Sequence, residues 1–452
     1  MLSKKVIEKY NVSSPRYTSY PTILDWNKKE LESKELAPKI KTSFSSMDKI
    51  KTSVYIHLPF CESLCTFCGC YKHITKNHTV EDPYINALIK EWKLYHTLAE
   101  GKNIEVEELH LGGGTPTFFS TSQLKRLLAE ITKNKPENFY YSIEGHPNNT
   151  TSEHLSLFRE FGFKRISFGV QDYSPIVQKA INRIQTYEQV AKVTDEARKL
   201  GFTSISHDLV FGLPKQTFEG LKDSILKTIH LKPDSISLYS YAHVPWVKGT
   251  GQRGFDESDL PTGTQKRKLY EMAKEMLLDT GYEEIGMDHF GLKHEPLTLA
   301  KRNKTMTRNF MGYTTAQSKQ LIGLGVSAIS EYSFGYAQNV KSVKEYHELI
   351  DQLILPTHKG HFHSETDIKL KAHIENLMCK FETKYEKGSL LDKLIEENKK
   401  ILYAMEEDVI IKTTDNKIKI TEDGQPFVRN VCMILDPYNN VKTQSKRFSS
   451  TV

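Results

Sequence analysis

Residues 54–70 read VYIHLPFCESLCTFCGC, a β-rich run passing directly into four cysteines, Cys61, Cys65, Cys68 and Cys70. The fold turns on what kind of sheet such a strand belongs to. Five further β-rich runs follow it: EELHLGGG (107–114), FYYSIEG (139–145), RISFGVQ (165–171), SISHDLVFGL (204–213) and SISLYSYAHV (235–244). Between them lie stretches of helical periodicity. Ser120 with Gln123 and Thr150 with Glu153 have the spacing of capping boxes, and Gly101, Gly162, Gly201 and Gly281 mark helix ends. Strand and helix alternating at intervals of about 30 residues predict right-handed βαβ crossovers and a parallel sheet. Six repeats fall short of the eight that close a full barrel. The predicted fold class is therefore α/β, an open, incomplete (β/α)6 barrel. Chemistry in such folds gathers where strands end, and here the cysteines follow the first run and the glycines close the second. Glu144 ends the third, Gln171 ends the fourth, and Asp208 lies in the fifth.

The 452 residues carry 62 basic and 56 acidic side chains, a net charge of +6 with no basic run in the body of the chain. That balance suits a polyanionic small molecule better than nucleic acid. No run approaches the roughly 18 apolar residues a membrane span needs, and MLSKKVIEKYNV lacks an apolar signal core, so the expected location is cytoplasmic. Clustered cysteines in a reducing compartment point to metal or redox chemistry rather than disulfides. Cys379 and Cys432, each alone among apolar residues, read as buried inert thiols.

Residues 1–45, including PRYTSYPT (15–22), read as an irregular N-terminal arm. Residues 46–345 hold the catalytic barrel. Residues 346–452 read as a smaller, mostly helical, winged-helix-like domain with a hairpin around Asp415-Asn416, in a packing or lid role. His358, His361 and His363 (HKGHFH) read as an exposed turn between these parts, with no carboxylate at ligand spacing.

A structural zinc site usually joins two cysteine pairs on separate loops, and ferredoxin sites space cysteines by two with a distant fourth. Neither fits a single loop spaced three, two, one. Cys61, Cys65 and Cys68, as C-x3-C-x2-C, match the radical S-adenosylmethionine (radical SAM) signature. In it, three thiolates hold a cubane cluster and leave one iron for the methionyl end of the cofactor. LHLGGGTPT (109–117) supplies the glycine-rich strand end that this chemistry needs. Alone it is a tight turn as readily as a binding loop.

With these motifs together, the chain resembles the oxygen-independent coproporphyrinogen III oxidases (coproporphyrinogen dehydrogenases). The resemblance runs nearly end to end, through YNVSSPRYTSYPT, YIHLPFCESLCTFCGC, GVQDYSPIVQKAINRIQ, DLVFGLPKQT, LYSYAHVP, IGMDHF, RNFMGYTT, LIGLGVSAIS and RNVCMILDPY. It implies a radical-SAM barrel that oxidatively decarboxylates two propionates of coproporphyrinogen III to vinyls, giving protoporphyrinogen IX in haem biosynthesis. It further implies one [4Fe–4S] cluster on Cys61, Cys65 and Cys68 and two S-adenosylmethionine molecules. Tyr55, Gly113, Glu144, Ala242 and Ile329 match the site of the cluster-bound one. Phe67, Gly114, Thr115, Gln171, Arg183 and Asp208 match the second. Cys70 is implied to be a catalytic non-ligand; packing under the loop is its alternative. Arg183 with Asp208 could instead be a rim ion pair. A low-potential donor such as flavodoxin or ferredoxin, a monomeric chain, and Arg16 and Arg308 at the propionates complete the expectation. The chain departs from the family pattern at Glu144-Gly145-His146-Pro147, where histidine replaces an acidic residue. Two related functions stay open: a haem chaperone of the same superfamily and an anaerobic haem-degrading enzyme. Cys70 and the Arg16-Tyr17 arm favour the oxidase.

Overall fold

The computed structural model describes residues 4–26, 30–246, 251–438 and Phe448. All six β-rich runs form strands: β1 (Ile50–Leu58), β2 (Ile104–Gly113), β3 (Tyr140–Gly145), β4 (Arg165–Gln171), β5 (Ser204–Phe211) and β6 (Ser235–Ser240). They pair in sequence order and in parallel, so the incomplete (β/α)6 barrel is observed.

The barrel stays open because antiparallel strands extend both edges. β7 (Glu283–Gly286) and β8 (His289–Gly291) lie beyond β6. On the other side β9 (Leu321–Leu324) runs parallel to β1, and β10 (Ile329–Tyr332), β11 (Gly335–Asn339) and β12 (Thr357–Phe362) follow antiparallel. The sheet thus has twelve strands and runs on to Phe362, so the division placed at residue 345 falls inside it.

Period-two alternation explains why the barrel binds rather than packs. Val54, Ile56, Leu109, Leu111, Ile143, Ile166 and Ile205 point outward and are buried against helices such as α1 (Glu81–Leu98), α2 (Thr121–Ile131) and α3 (Ser152–Glu160). The alternate positions face the bore and are polar, including Tyr55, His110, Ser142, Glu144, Ser167, Asp208 and Ser237. Apolar outer faces drive folding by burial, while the bore keeps its hydrogen-bonding groups for ligands.

Two capping expectations are corrected. Ser120 precedes α2, but its hydroxyl and N–H both go to Glu81 Oε2 at 2.8 Å. The cap of α3 is Thr151 with His154, one residue beyond Thr150, whose hydroxyl bonds His146 O at 2.9 Å. The four helix-ending glycines all have positive φ, between 86° and 92°.

The arm is more ordered than expected. Residues Lys4–Tyr10 and Ser33–Ser45 are helical, and Leu36, Ile40 and Phe44 of the second helix join the barrel core. Tyr10, Tyr17 and Tyr20 join the core of the C-terminal part instead. That part holds α4 (Glu365–Lys380), α5 (Leu390–Glu397), α6 (Lys399–Glu407), a hairpin Ile411–Thr414 with Lys417–Ile420, and α7 (Val428–Ile434). Arg429 of α7 donates to Ser14 O and to Pro15 O at 3.0 Å, tying the two chain ends together. HKGHFH is not an exposed turn: residues 357–362 form the last strand of the sheet. His361 is buried, and Nε2 lies 3.0 Å from Asp367 Oδ2, a carboxylate that helix α4 brings back over the strand. Cys379 and Cys432 are buried, as expected.

Candidate active site

The cysteine loop is shaped by the glycines beside it. His57 and Leu58 lie in register with Gly112 and Gly113. Gly114 N then donates to Leu58 O at 2.8 Å and Thr115 N to Phe60 O at 3.0 Å, so the turn wraps the end of β1. A Cβ on Gly114 would sit 2.6 Å from the Pro59 carbonyl carbon, and one on Gly113 (φ +115°) 2.7 Å from the His57 ring. Only glycine allows that approach. The far side of the loop is braced by Thr66 N to Ile181 O (2.9 Å) and Asn182 Nδ2 to Leu64 O (2.7 Å).

The four thiols are not equivalent. Thr115 Oγ1 donates to Cys61 Sγ at 3.4 Å, and Arg183 Nη1 to Cys65 Sγ at 3.7 Å. The Cys70 thiol hydrogen-bonds Cys68. That bond holds Cys68 down at about 6 and pushes Cys70 well above the usual thiol range. Burial pushes Cys61 up to about 11, against the Thr115 bond. Cys61, Cys65 and Cys68 are not gathered to single-ion spacing; among the described residues only another group has its donors within 4.8 Å of one another. Three thiols around one space, wider than one ion requires and each with its own polar neighbour, fit a polynuclear cluster. Cys70, the donor to Cys68, stands apart as a protonated neighbour.

The chain was then compared with known proteins. The Radical SAM superfamily matches residues 55–227. The oxygen-independent coproporphyrinogen III oxidase of Escherichia coli is 36% identical, covering 99% of this chain and 98% of its own length. The Helicobacter pylori enzyme of that name is 37% identical, with 98% of each covered. The solved structure of the Escherichia coli enzyme, HemN, described as a radical SAM enzyme, superposes with a TM-score of 0.87 at 33% identity. It covers 97% of this chain and 99% of its own. This chain belongs to the oxygen-independent coproporphyrinogen III oxidases. As in the radical SAM superfamily at large, the family implies a [4Fe–4S] cluster and S-adenosylmethionine as cofactors.

Within this oxidase, Tyr55, Cys70, Gly113, Glu144 and Ile329 line one cavity of about 600 Å³ at the strand ends. His110 and Glu144 are shared with a second cavity of about 290 Å³ that descends the bore and contains Asp208. Glu144 accepts from His110 Nε2 at 3.2 Å and from Gly113 N at 3.3 Å. Burial raises its carboxyl, but these bonds and the nearby imidazoles outweigh it, and Glu144 stays below the usual range. Burial raises Asp208 to about 6, Glu144 adds to this, and Ser237 and Ser167 oppose it. The two carboxylates thus differ in protonation within one bore.

Arg183 does not pair with Asp208 among the described residues; it donates to Gly169 O at 2.6 Å and to Cys65. Gln171 (φ +67°) meets it beside Gly169. Phe67 packs against the cluster of Val177, Ile181 and Tyr241, and Ala242 O accepts from Gln252 Nε2 at 2.6 Å. These two, with Gln171 and Arg183, lie outside the two cavities. Burial and the Arg183 charge keep His146 neutral, down at about 3.

Sequence reasoning passed over several cavity residues. Tyr55 Oη donates to His57 Nδ1 at 2.9 Å, and His57 Nε2 donates to Tyr71 O at 3.1 Å, leaving a neutral imidazole lowered to about 4 by burial. Lys72, His110 and Phe310 also line the larger cavity. The signal for His57 and His110 was available: each stands two residues from a recognised bore position, Tyr55 and Gly112. Of the residues guessed for propionates, Arg16 pairs with Asp288, and Arg308 lies over the Tyr313 ring at 4.5 Å.

Proposed function

We propose that this oxidase converts two propionates of coproporphyrinogen III to vinyls, giving protoporphyrinogen IX, as its full-length relatives are named for doing. The observation that carries the proposal is the single cavity in which Cys70, Gly113, Glu144 and Ile329 meet beside the thiols of Cys61, Cys65 and Cys68. Those three thiols would hold the cluster. When bound, the cluster and S-adenosylmethionine supply the reducing electron and the radical that takes hydrogen from a propionate.

The chain's own residues orient and protect this chemistry. Tyr55, Gly113, Glu144, Ala242 and Ile329 would take the S-adenosylmethionine nearest the cluster. Glu144, anionic at neutral pH, accepts from an ammonium or ribose hydroxyl. Phe67, Gly114, Thr115, Gln171, Arg183 and Asp208 would take a second molecule, with Arg183 suited to a carboxylate. Cys70 keeps its proton at the cavity wall, where it can give up a hydrogen or proton. Arg16, held at Asp288 by the arm, is placed for a propionate. A flavodoxin or ferredoxin as electron donor, a monomeric chain and a cytoplasmic location complete the reading. No described helix is long and apolar enough to cross a membrane.

The test is anaerobic incubation of cluster-loaded protein with S-adenosylmethionine, a low-potential reductant and coproporphyrinogen III, with Cys70→Ser alongside. Vinyl product from the wild type alone is expected. S-adenosylmethionine cleavage without decarboxylated porphyrinogen would remove the substrate assignment and leave the superfamily one. Haem binding without turnover would point to a chaperone.

A further inference from the structure

Where the sheet ends and the C-terminal part begins, three potential ligands converge. His361 closes β12, His363 follows it, and Asp367 stands in the first turn of α4. One donor atom from each lies within 4.8 Å of the other two. None of them lines either cavity described above.

Two observations set this group apart from an ordinary buried ion pair. The Asp367 carboxylate is oriented by its surroundings: Ser364 N and Oγ each donate to Oδ2 at 2.8 Å, and Tyr438 Oη to Oδ1 at 2.9 Å. His361 Nε2 also gives its N–H to Oδ2, so its lone pair is on Nδ1, which is buried without a partner. Both ring nitrogens of His363 are likewise buried and unpartnered. Burying an imidazole with neither nitrogen satisfied costs free energy that a hydrophobic side chain would not. The nearby cation, Lys371, is engaged with Glu331 at 2.5 Å. A carboxylate behind one imidazole and a second imidazole with free lone-pair capacity is the arrangement used for bound zinc.

We propose that His361, His363 and Asp367 bind a zinc ion, with water completing the tetrahedron. The ion would clasp the last strand of the sheet to α4 and, through Tyr438, to the end of the chain. Its reach extends toward the active site: His363 meets the Tyr336 ring edge-on at 4.8 Å, and Tyr336 meets Phe310, a wall of the larger cavity, at 5.5 Å.

Zinc per chain is measured by elemental analysis after dialysis of the cluster-loaded protein against zinc and then against a weak chelator. His363→Leu is the informative variant, because the side chain makes no hydrogen bond that the fold would lose. About one zinc per chain is expected in the wild type, retained when Cys61, Cys65 and Cys68 are all serine. Affinity should fall more than about tenfold in His363→Leu and return in His363→Cys. The zinc-loaded wild type should melt at higher temperature than the zinc-free form, and His363→Leu should show no such difference. Absence of zinc from the wild type, zinc retained unchanged in His363→Leu, or zinc lost with the cluster cysteines would each overturn the proposal.

Discussion

Arg183 Nη1 lies 3.7 Å from Cys65 Sγ, and Nη2 of the same guanidinium donates to Gly169 O at 2.6 Å. One cation therefore joins the end of β4 to a cluster thiol. His146 stands near it but is kept neutral, so no carboxylate competes for the charge. His146→Asp should draw Arg183 away from Cys65 and add negative charge near the cluster. Both changes disfavour reduction, and the midpoint potential should fall by on the order of tens of millivolts. Spectroelectrochemical titration reads this directly; an unmoved potential would show that the histidine is electrostatically silent.

Cys70 and the three ligand cysteines should separate cleanly by variant. Cys61→Ser, Cys65→Ser and Cys68→Ser should each lose bound iron. Cys70→Ser should keep it, while turnover drops by about 100-fold or more if the thiol acts in proton or hydrogen transfer. Iron per chain, paramagnetic resonance and product formation distinguish the two behaviours. Loss of iron in Cys70→Ser would make it a fourth ligand.

Gly113→Ala probes the close approach of β1 and β2. At φ +115°, with a Cβ 2.7 Å from the His57 ring, alanine strains the backbone and pushes the imidazole from Tyr71. A cost of about 1–3 kcal/mol in unfolding free energy is expected, together with weaker S-adenosylmethionine binding. Calorimetry of binding and denaturant unfolding check the two parts. Wild-type values in both would refute the strain argument.

Asp208 gives the pH dependence a definite sign. Its carboxyl is raised from 3.8 to about 6, chiefly by burial. Between those values the folded chain holds a proton that the unfolded chain has released, so stability declines as pH rises through the window. The full decline is about 3 kcal/mol at most, for a displacement of roughly 2 units. Asp208→Asn should remove this contribution and gain stability at pH 8 relative to pH 4. Identical pH slopes in urea unfolding of the two proteins would count against it.

Arg429 couples the chain ends. Its guanidinium is buried and donates to the carbonyls of Ser14 and Pro15, just before Arg16. Arg429→Met should cost about 2 kcal/mol and free the arm. Faster limited proteolysis within residues 13–22, and a raised KM as Arg16 leaves Asp288, are the expected readings. Unchanged cleavage there would mean that the tyrosines alone hold the arm.

Much of the architecture was legible from local signals. Six strands were readable because each carries a run of β-formers bounded by turn residues, and bore alternation repeats in all of them. The cysteine spacing and the glycine turn were equally local, so the cluster loop and its neighbour could be named from residues alone. Asp208 and Glu144 were found as polar residues in strands, but their opposite protonation was not. That difference comes from burial and from His110 and Gly113, which reach Glu144 from another strand.

Sequence by itself thus determined the repeating βα units, the unequal roles within CESLCTFCGC and the kinship that its motifs carry. Tertiary structure alone decided what long-range contact decides. It extended the sheet to Phe362, because antiparallel pairing joins segments whose local patterns do not announce their partner. It sent Arg183 to Cys65 instead of Asp208, and it seated the arm on the C-terminal core through Arg429. It also folded Asp367 back over His361. A hydrogen bond or a ligand set depends on distances through space, and spacing along a chain constrains those only within a single strand, helix or turn.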